Sequence, residues 1–175
     1  MASAMTAMSA LKKQLRTEMK TLTKTITKDA MLTESNLCSQ RLLSSDMYRT
    51  SHALSIFLSM PSGEVQTDMI IQHALNANKR VFIPKVTGPA SHDMVMVEIL
   101  SYADIQAFPK SKWGIPEPPL GPDFIDATET GVIDLIVVPG CAFDKRCGRL
   151  GHGKGYYGIS LYYYFWKCQL LMKFI

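Results

Sequence analysis

The feature that most constrains this chain is an apolar run, a helical stretch and a second apolar run in close succession. Ala53-Leu54-Ser55-Ile56-Phe57-Leu58 has β character, as does Arg80-Val81-Phe82-Ile83-Pro84. Between them, Thr67 to Asn78 places Met69, Ile70, Ala74 and Leu75 at helical spacing, followed by Lys79-Arg80. Strand, helix, strand over so short a length is a βαβ unit, which demands a parallel pair of strands. A third run, Ile133-Asp134-Leu135-Ile136-Val137-Val138-Pro139, extends the pattern, and Val95 to Ile99 alternates weakly as an extra strand.

Ahead of these strands, Ser9 to about Leu43 reads as a helical region. Leu11, Leu15, Met19 and Leu22 recur in steps of three and four, and Thr33-Glu34-Ser35 is the expected cap of a second helix carrying Leu37, Leu42 and Leu43. Both helices are expected to pack on the sheet. Pro109 to Pro122, rich in Pro and Gly, is expected to be an ordered loop. The fold class is therefore α/β, a mainly parallel sheet flanked by helices with an N-terminal helical region. At 175 residues and 47% hydrophobic content, one domain accounts for the chain. Ligands of open parallel sheets bind beyond the carboxyl ends of the strands. Three segments meet there: Leu58 to Glu64, Lys85 onward, and Gly140 onward.

The last of these carries the strongest chemical signal: Pro139-Gly140-Cys141-Ala142-Phe143-Asp144-Lys145-Arg146-Cys147-Gly148-Arg149-Leu150-Gly151-His152-Gly153-Lys154-Gly155-Tyr156-Tyr157. Gly151, Gly153 and Gly155 remove Cβ atoms at alternate positions, so successive N–H groups can approach phosphate oxygens, and Arg149 and Lys154 add positive charge. Gly148 to Lys154 formally matches GxxxxGK, yet Gly155 stands where a P-loop needs a Ser or Thr hydroxyl. The dinucleotide fingerprint also fails, because Tyr156 occupies the third Gly position. Taken alone, a GxGxG run fits a surface glycine loop better than a polyphosphate site.

The longer pattern is more specific. Pro-Gly followed by Phe-Asp and then Arg-Leu-Gly-x-Gly-Lys-Gly-Tyr-Tyr resembles the signature of the 5-formyltetrahydrofolate cyclo-ligase (5,10-methenyltetrahydrofolate synthetase) family. Supporting segments recur in order: Lys12-Lys13-Gln14-Leu15-Arg16, Ile56-Phe57-Leu58-Ser59-Met60 with Glu64, Phe82-Ile83-Pro84-Lys85, and Trp113-Gly114-Ile115-Pro116-Glu117-Pro118. Together they span about Ser9 to Tyr157. The resemblance implies a ligase of folate and one-carbon metabolism that closes 5-formyltetrahydrofolate to 5,10-methenyltetrahydrofolate, consuming ATP with Mg²⁺ and releasing ADP and phosphate.

It also implies roles for matching residues. Lys12, Arg16, Arg149, Gly151, Gly153, Lys154, Gly155, Tyr156 and Tyr157 correspond to ATP-binding positions, with Lys154 and Arg149 the expected catalytic charges on the moving phosphoryl group. Leu58, Met60, Glu64, Trp113 and Tyr157 correspond to the substrate side. Lys12 and Arg16, four apart, share one helical face. A carboxylate at Glu64 can accept two parallel N–H donors from an amino-pyrimidine edge, and a Trp113 face can pack on a flat ring. Each has a plain alternative: a solvated basic face, an exposed loop acid, a core Trp. No metal ligand is expected at position 158, where the family's usual Asp is Gly158.

Beyond Tyr157 the quoted pattern stops, so residues 1–158 read as the cyclo-ligase-like domain and 159–175 as an atypical apolar tail. That division leaves a second functional reading, a nucleotide- or folate-binding relative impaired by its altered ending. An α/β sugar-phosphate isomerase or acyl-CoA-handling protein that uses no ATP is a third, with Asp144 the residue that could be offered as its base.

The formal net charge of +4 is scattered without a long like-charged run, which argues against a nucleic-acid arm and leaves small anions as the expected partners. Cys38, Cys141, Cys147 and Cys168 form neither a CxxC pair nor a zinc-finger spacing, which suits a reducing compartment. His52, His73, His92 and His152 show no nucleophile–base pattern. The tail is too short and too charged for a membrane span. The expectation is a cytoplasmic monomer. A basic, Ser/Thr-rich N-terminus holding Glu18 as its acid makes the mitochondrion the lesser alternative.

Overall fold

The computed structural model describes residues 2–121, 126–159 and 161. Its centre is β1 (Ala53–Ile56), buried at every position because strands flank it on both sides. β1 pairs in parallel with β2 (Arg80–Val86) and with β4 (Leu135–Val137), aligning Leu54 with Val81 on one side and with Leu135 on the other. β3 (Met94–Ile99) turns back antiparallel on β2, so the order is β3-β2-β1-β4. The sequence expectation of a mainly parallel sheet holds, and the weakly alternating run is its antiparallel edge.

Alternation along the strands sends side chains to opposite faces, and both faces are covered. Leu54, Ile56, Val81 and Ile83 join one cluster with Leu42, Tyr48, Ile70, Ile71 and Ala74. These come from α2 (Lys28–Leu43), α3 (Asp46–Thr50) and α4 (Asp68–Asn76). Ala53, Phe82 and Ile136 face the other way, meeting Met94, Met96, Ala127, Ile133 and Leu161. α5 (Tyr102–Ala107) is closed by a Ser101–Asp104 capping box, and α6 (Ala127–Thr130) is capped by Asp126, whose carboxylate also accepts from the Met96 N–H.

Two helical expectations are corrected. The second helix starts after Thr27, whose hydroxyl accepts from the Ala30 N–H at 3.2 Å, and not at Thr33. Ser35, read as part of a cap, is buried mid-helix. Its hydroxyl donates to the Met31 carbonyl at 2.6 Å and accepts from the Gln66 N–H at 2.9 Å, pinning the loop after β1. The apolar stripe of α1 (Ala2–Thr23) does not seat on the sheet, since Leu11, Leu15 and Leu22 are exposed. The partly buried side of that helix holds Arg16, Met19 and Thr23.

The loop from Pro109 is ordered as expected. Ser111 N–H donates to the Ile115 carbonyl and Glu117 N–H to the Pro109 carbonyl, both at 2.8 Å, with Lys110 bridging to Pro116. The glycine segment contains structure that its composition hides: β5 (Ala142–Phe143) and β6 (Arg149–Leu150) form a small antiparallel hairpin.

Candidate functional site

The chain leaves β1 toward β2 on one side of the sheet and later adds β4 on the other, which makes the β1–β4 gap the topological switch point. Loops leaving two such strands diverge and open a crevice. Here the loop after β1 carries Met60 and Glu64, and the loop after β4 carries the glycine segment.

The glycine segment begins as a braced hairpin. Asp144 accepts from the N–H groups of Arg146 and Gly148, both at 2.8 Å, so its carboxylate holds the hairpin tip. That use gives Asp144 a structural role at Oδ1. A Cβ on Gly151 would lie 3.1 Å from the Arg149 guanidinium, so glycine here lets Arg149 fold back over the backbone. Arg149 donates Nε–H to the Pro139 carbonyl at 2.9 Å and lies 5.4 Å from the Tyr157 ring centre. Gly153 and Gly155 have φ of +102° and +86°, conformations that L side chains rarely adopt. Lys154 between them is exposed.

α1 reaches this turn from the start of the chain. Arg16 donates Nε–H to the Gly151 carbonyl at 2.8 Å, and its guanidinium lies beside Gly153. Lys12, one helical turn earlier, is exposed. Arg16 and Arg149 therefore flank a turn in which Gly151, Gly153 and Gly155 carry no side chains of their own. Such an arrangement suits phosphate oxygens.

The opposite wall is built by the loop after β1. Leu58 is buried in the core and supports the wall instead of lining it. Glu64 is partly buried and accepts from the Met60 N–H at 3.0 Å, while Gln66 ties the Met60 and Glu64 carbonyls together. Burial raises the Glu64 carboxyl above the usual range, with the Met60 hydrogen bond opposing. Gly114 lets the Trp113 loop come against this wall, since a Cβ there would sit 3.1 Å from Pro61 Cγ. Trp113 is 61% exposed, which excludes the core-packing alternative, and the Lys112 ammonium lies 4.4 Å from its ring centre.

The charges of the two walls act on one another. The Tyr157 phenol is pushed far up, first by burial and then by the Glu64 charge, with Arg149 opposing. Burial also raises the Cys141 thiol, against the pull of Arg16 and Arg149. His152 is lowered by burial, then by Arg149 and Arg16, and its Nδ1 lies 3.3 Å from Cys141 Sγ. The Cys141–His152 contact was not expected from sequence. Its only signal was the placement of both residues inside the long motif.

Of the expected site residues, the structure brings Arg16, Arg149, Gly151, Gly153, Glu64 and Tyr157 around one crevice. It sets Met60 and Trp113 at its rim and leaves Lys12 and Lys154 exposed. The Tyr156 hydroxyl donates to the Gly88 carbonyl at 3.0 Å. Among the described residues no group of three His, Cys, Asp or Glu side chains is placed to hold a metal, and the space beside Gly158 is open. The tail beyond residue 161 lies outside the described residues.

Comparison with known proteins accords with this geometry. Residues 8–170 match the 5-formyltetrahydrofolate cyclo-ligase family, a span that continues past Tyr157, the last residue of the long motif. The 5-formyltetrahydrofolate cyclo-ligase of Mus musculus is 39% identical over 159 residues, 91% of this chain and 77% of that protein. A probable 5-formyltetrahydrofolate cyclo-ligase of Caenorhabditis elegans is 39% identical over 154 residues, 87% of this chain and 73% of its own. The solved structure of Aquifex aeolicus 5,10-methenyltetrahydrofolate synthetase superimposes with a TM-score of 0.71 at 26% identity, covering 92% of this chain and 75% of that one.

Proposed function

The chain belongs to the 5-formyltetrahydrofolate cyclo-ligase family, an ATP-dependent ligase that forms a C–N bond, and we propose that it works in the crevice between the β1 and β4 loops. In this reading the formyl oxygen of 5-formyltetrahydrofolate attacks the γ-phosphorus of ATP and ADP leaves. N10 then adds to the activated formyl carbon, loses its proton, and phosphate departs with the former formyl oxygen. The product is 5,10-methenyltetrahydrofolate.

Such phosphoryl transfer asks the protein for position and positive charge more than for covalent chemistry. Arg16 and Arg149 hold the nucleotide's phosphates against the amides of residues 151–155, and Lys154 swings onto the transferring group. Lys12 adds charge at the entrance. Across the crevice, Glu64 receives the amino-pyrimidine edge of the pterin, Met60 and Tyr157 border the ring, and Trp113 covers it from the rim. The observation that supports this assignment best is the Arg16 to Gly151 hydrogen bond, which brings the basic face of α1 to the glycine turn opposite Glu64.

Mg²⁺ is proposed to enter with the nucleotide. The described residues do not form a carboxylate cage, and Mg²⁺ commonly keeps water and substrate phosphates as ligands. The proposal extends to a cytoplasmic monomer acting on small molecules. Among the described residues no helix is long and apolar enough to cross a membrane.

The test is spectroscopic. Methenyltetrahydrofolate absorbance should grow when purified chain meets 5-formyltetrahydrofolate, ATP and Mg²⁺, and stay flat when ATP is withheld. A trace that ignores ATP would overturn the assignment.

A further inference from the structure

The turn joining β2 to β3 is remote in sequence from the glycine segment, yet it touches that segment at two adjacent residues. The Tyr156 hydroxyl donates to the Gly88 carbonyl across 68 residues. A Cβ on Gly155 would lie 3.0 Å from Ser91 Cβ, so the backbone there runs directly against the same turn. The turn is firm. Thr87 N–H donates to the Asp93 carbonyl and Asp93 N–H to the Ala90 carbonyl, both at 3.0 Å, while the Asp93 carboxylate accepts from the Ala90 N–H at 2.8 Å. Tyr156 is anchored from its other end as well, its ring packing partly buried against the cluster that holds Phe82, Met94 and Met96.

We infer that the β2–β3 turn is a prop for the phosphate-binding turn, and that Tyr156 is a positioning residue acting on the nucleotide through the backbone of residues 153–155. The inference rests on the nucleotide reading of the glycine segment. Gly153 and Gly155 give that turn its shape but also its freedom, and a glycine-rich turn has more conformational entropy to lose when a ligand orders it. A protein in which only a fraction of molecules holds the competent turn binds more weakly by that fraction. Propping the turn from outside, with a hydroxyl and a close backbone contact, raises the fraction without placing another side chain among the phosphates. Folate is recognised chiefly on the other wall, from Met60 to Glu64, with Tyr157 its one neighbour on the propped segment, so its affinity depends on the prop less than that of ATP.

Calorimetric titration of ATP into the full chain tests this, comparing the unaltered protein with Tyr156→Phe and Ser91→Val. Phe keeps the ring in its apolar cluster and deletes the donor, whereas Val crowds Gly155. Each is expected to weaken ATP binding about three- to tenfold, the scale of one net hydrogen bond, while changing folate affinity by a clearly smaller factor. The double variant should bind within about twofold of the weaker single variant, because both act on one stretch of backbone. If Tyr156→Phe binds ATP as tightly as the unaltered chain, or loses folate affinity by the same factor, the positioning role is wrong. A lowered melting temperature with unchanged ATP affinity identifies a contact for stability alone and also overturns it. Should the unaltered chain itself fail to take up ATP, the nucleotide reading falls, a result distinct from equal binding by all variants.

Discussion

Arg16 Nε donates to the carbonyl of Gly151 at 2.8 Å, joining the first helix to the glycine turn across 135 residues. That bond uses one edge of the guanidinium and leaves the other free for an anion, so one side chain both shapes the turn and charges it. Arg16→Ala is expected to weaken ATP binding about 10- to 100-fold, the range for hydrogen bonds to charged groups. Arg16→Lys should recover part of the loss, because an ammonium supplies the charge but not the planar fork. Isothermal titration decides; unchanged ATP affinity in Arg16→Ala would remove α1 from the nucleotide site.

Lys154 makes the opposite prediction. It is exposed between two glycines of positive φ, so truncating it disturbs no packing. Lys154→Ala is expected to lower kcat by about 10²- to 10³-fold, as when one electrostatic donor to a transition state is lost, with the melting temperature unmoved. Steady-state rates at saturating ATP and folate provide the check. A fall in ATP affinity with kcat intact would make Lys154 an anchor instead of a catalytic charge.

Much of this architecture can be read without coordinates because β1 is buried throughout, so Ala53 to Leu58 shows the apolar run of a central parallel strand, interrupted by Ser55 alone. The glycine turn was legible for a related reason: alternate glycines mark backbone that side chains cannot follow, and φ at Gly153 and Gly155 is positive. Helix boundaries were less legible, because Thr27 has Asp29 two residues on and Thr33 has Glu34 next to it, and only packing decides which one caps. Periodicity misled at α1, where Leu11 and Leu22 form a regular stripe that stays exposed while Arg16 faces the body. Contacts between distant loops leave no local trace, which is why Tyr156 to Gly88 and Pro61 to Gly114 were invisible.

Gly155 combines two constraints, and substituting it separates them. At φ of +86° any side chain is strained, and a Cβ would press on Ser91. Gly155→Ala is expected to cost about 1–3 kcal/mol and to abolish measurable ATP binding. Adding Ser91→Gly relieves the clash but not the dihedral strain, so it should restore part of the melting temperature and little of the affinity. Full recovery in the double variant would show that crowding, and not backbone conformation, dictates glycine here.

Glu64 yields a prediction in pH. Its carboxyl is raised chiefly by burial, against a hydrogen bond from Met60, so the folded chain takes up this proton more readily than the unfolded chain, whose reference value is 4.5. Between those two values the native state binds the extra proton. The stabilisation is therefore complete below the unfolded value and is lost as pH rises through the folded one. Glu64→Gln keeps an oxygen for the Met60 N–H and cannot ionise. Relative to the unaltered chain, its melting temperature should climb as pH is raised from about 4 and level off once Glu64 is charged. At neutral pH the same variant should bind reduced folate about tenfold or more weakly, since an amide cannot accept from two parallel N–H donors, while its ATP affinity holds. A melting difference that stays flat with pH would show the carboxylate fully hydrated in the open crevice. Equal folate binding by the two proteins would take Glu64 out of pterin recognition.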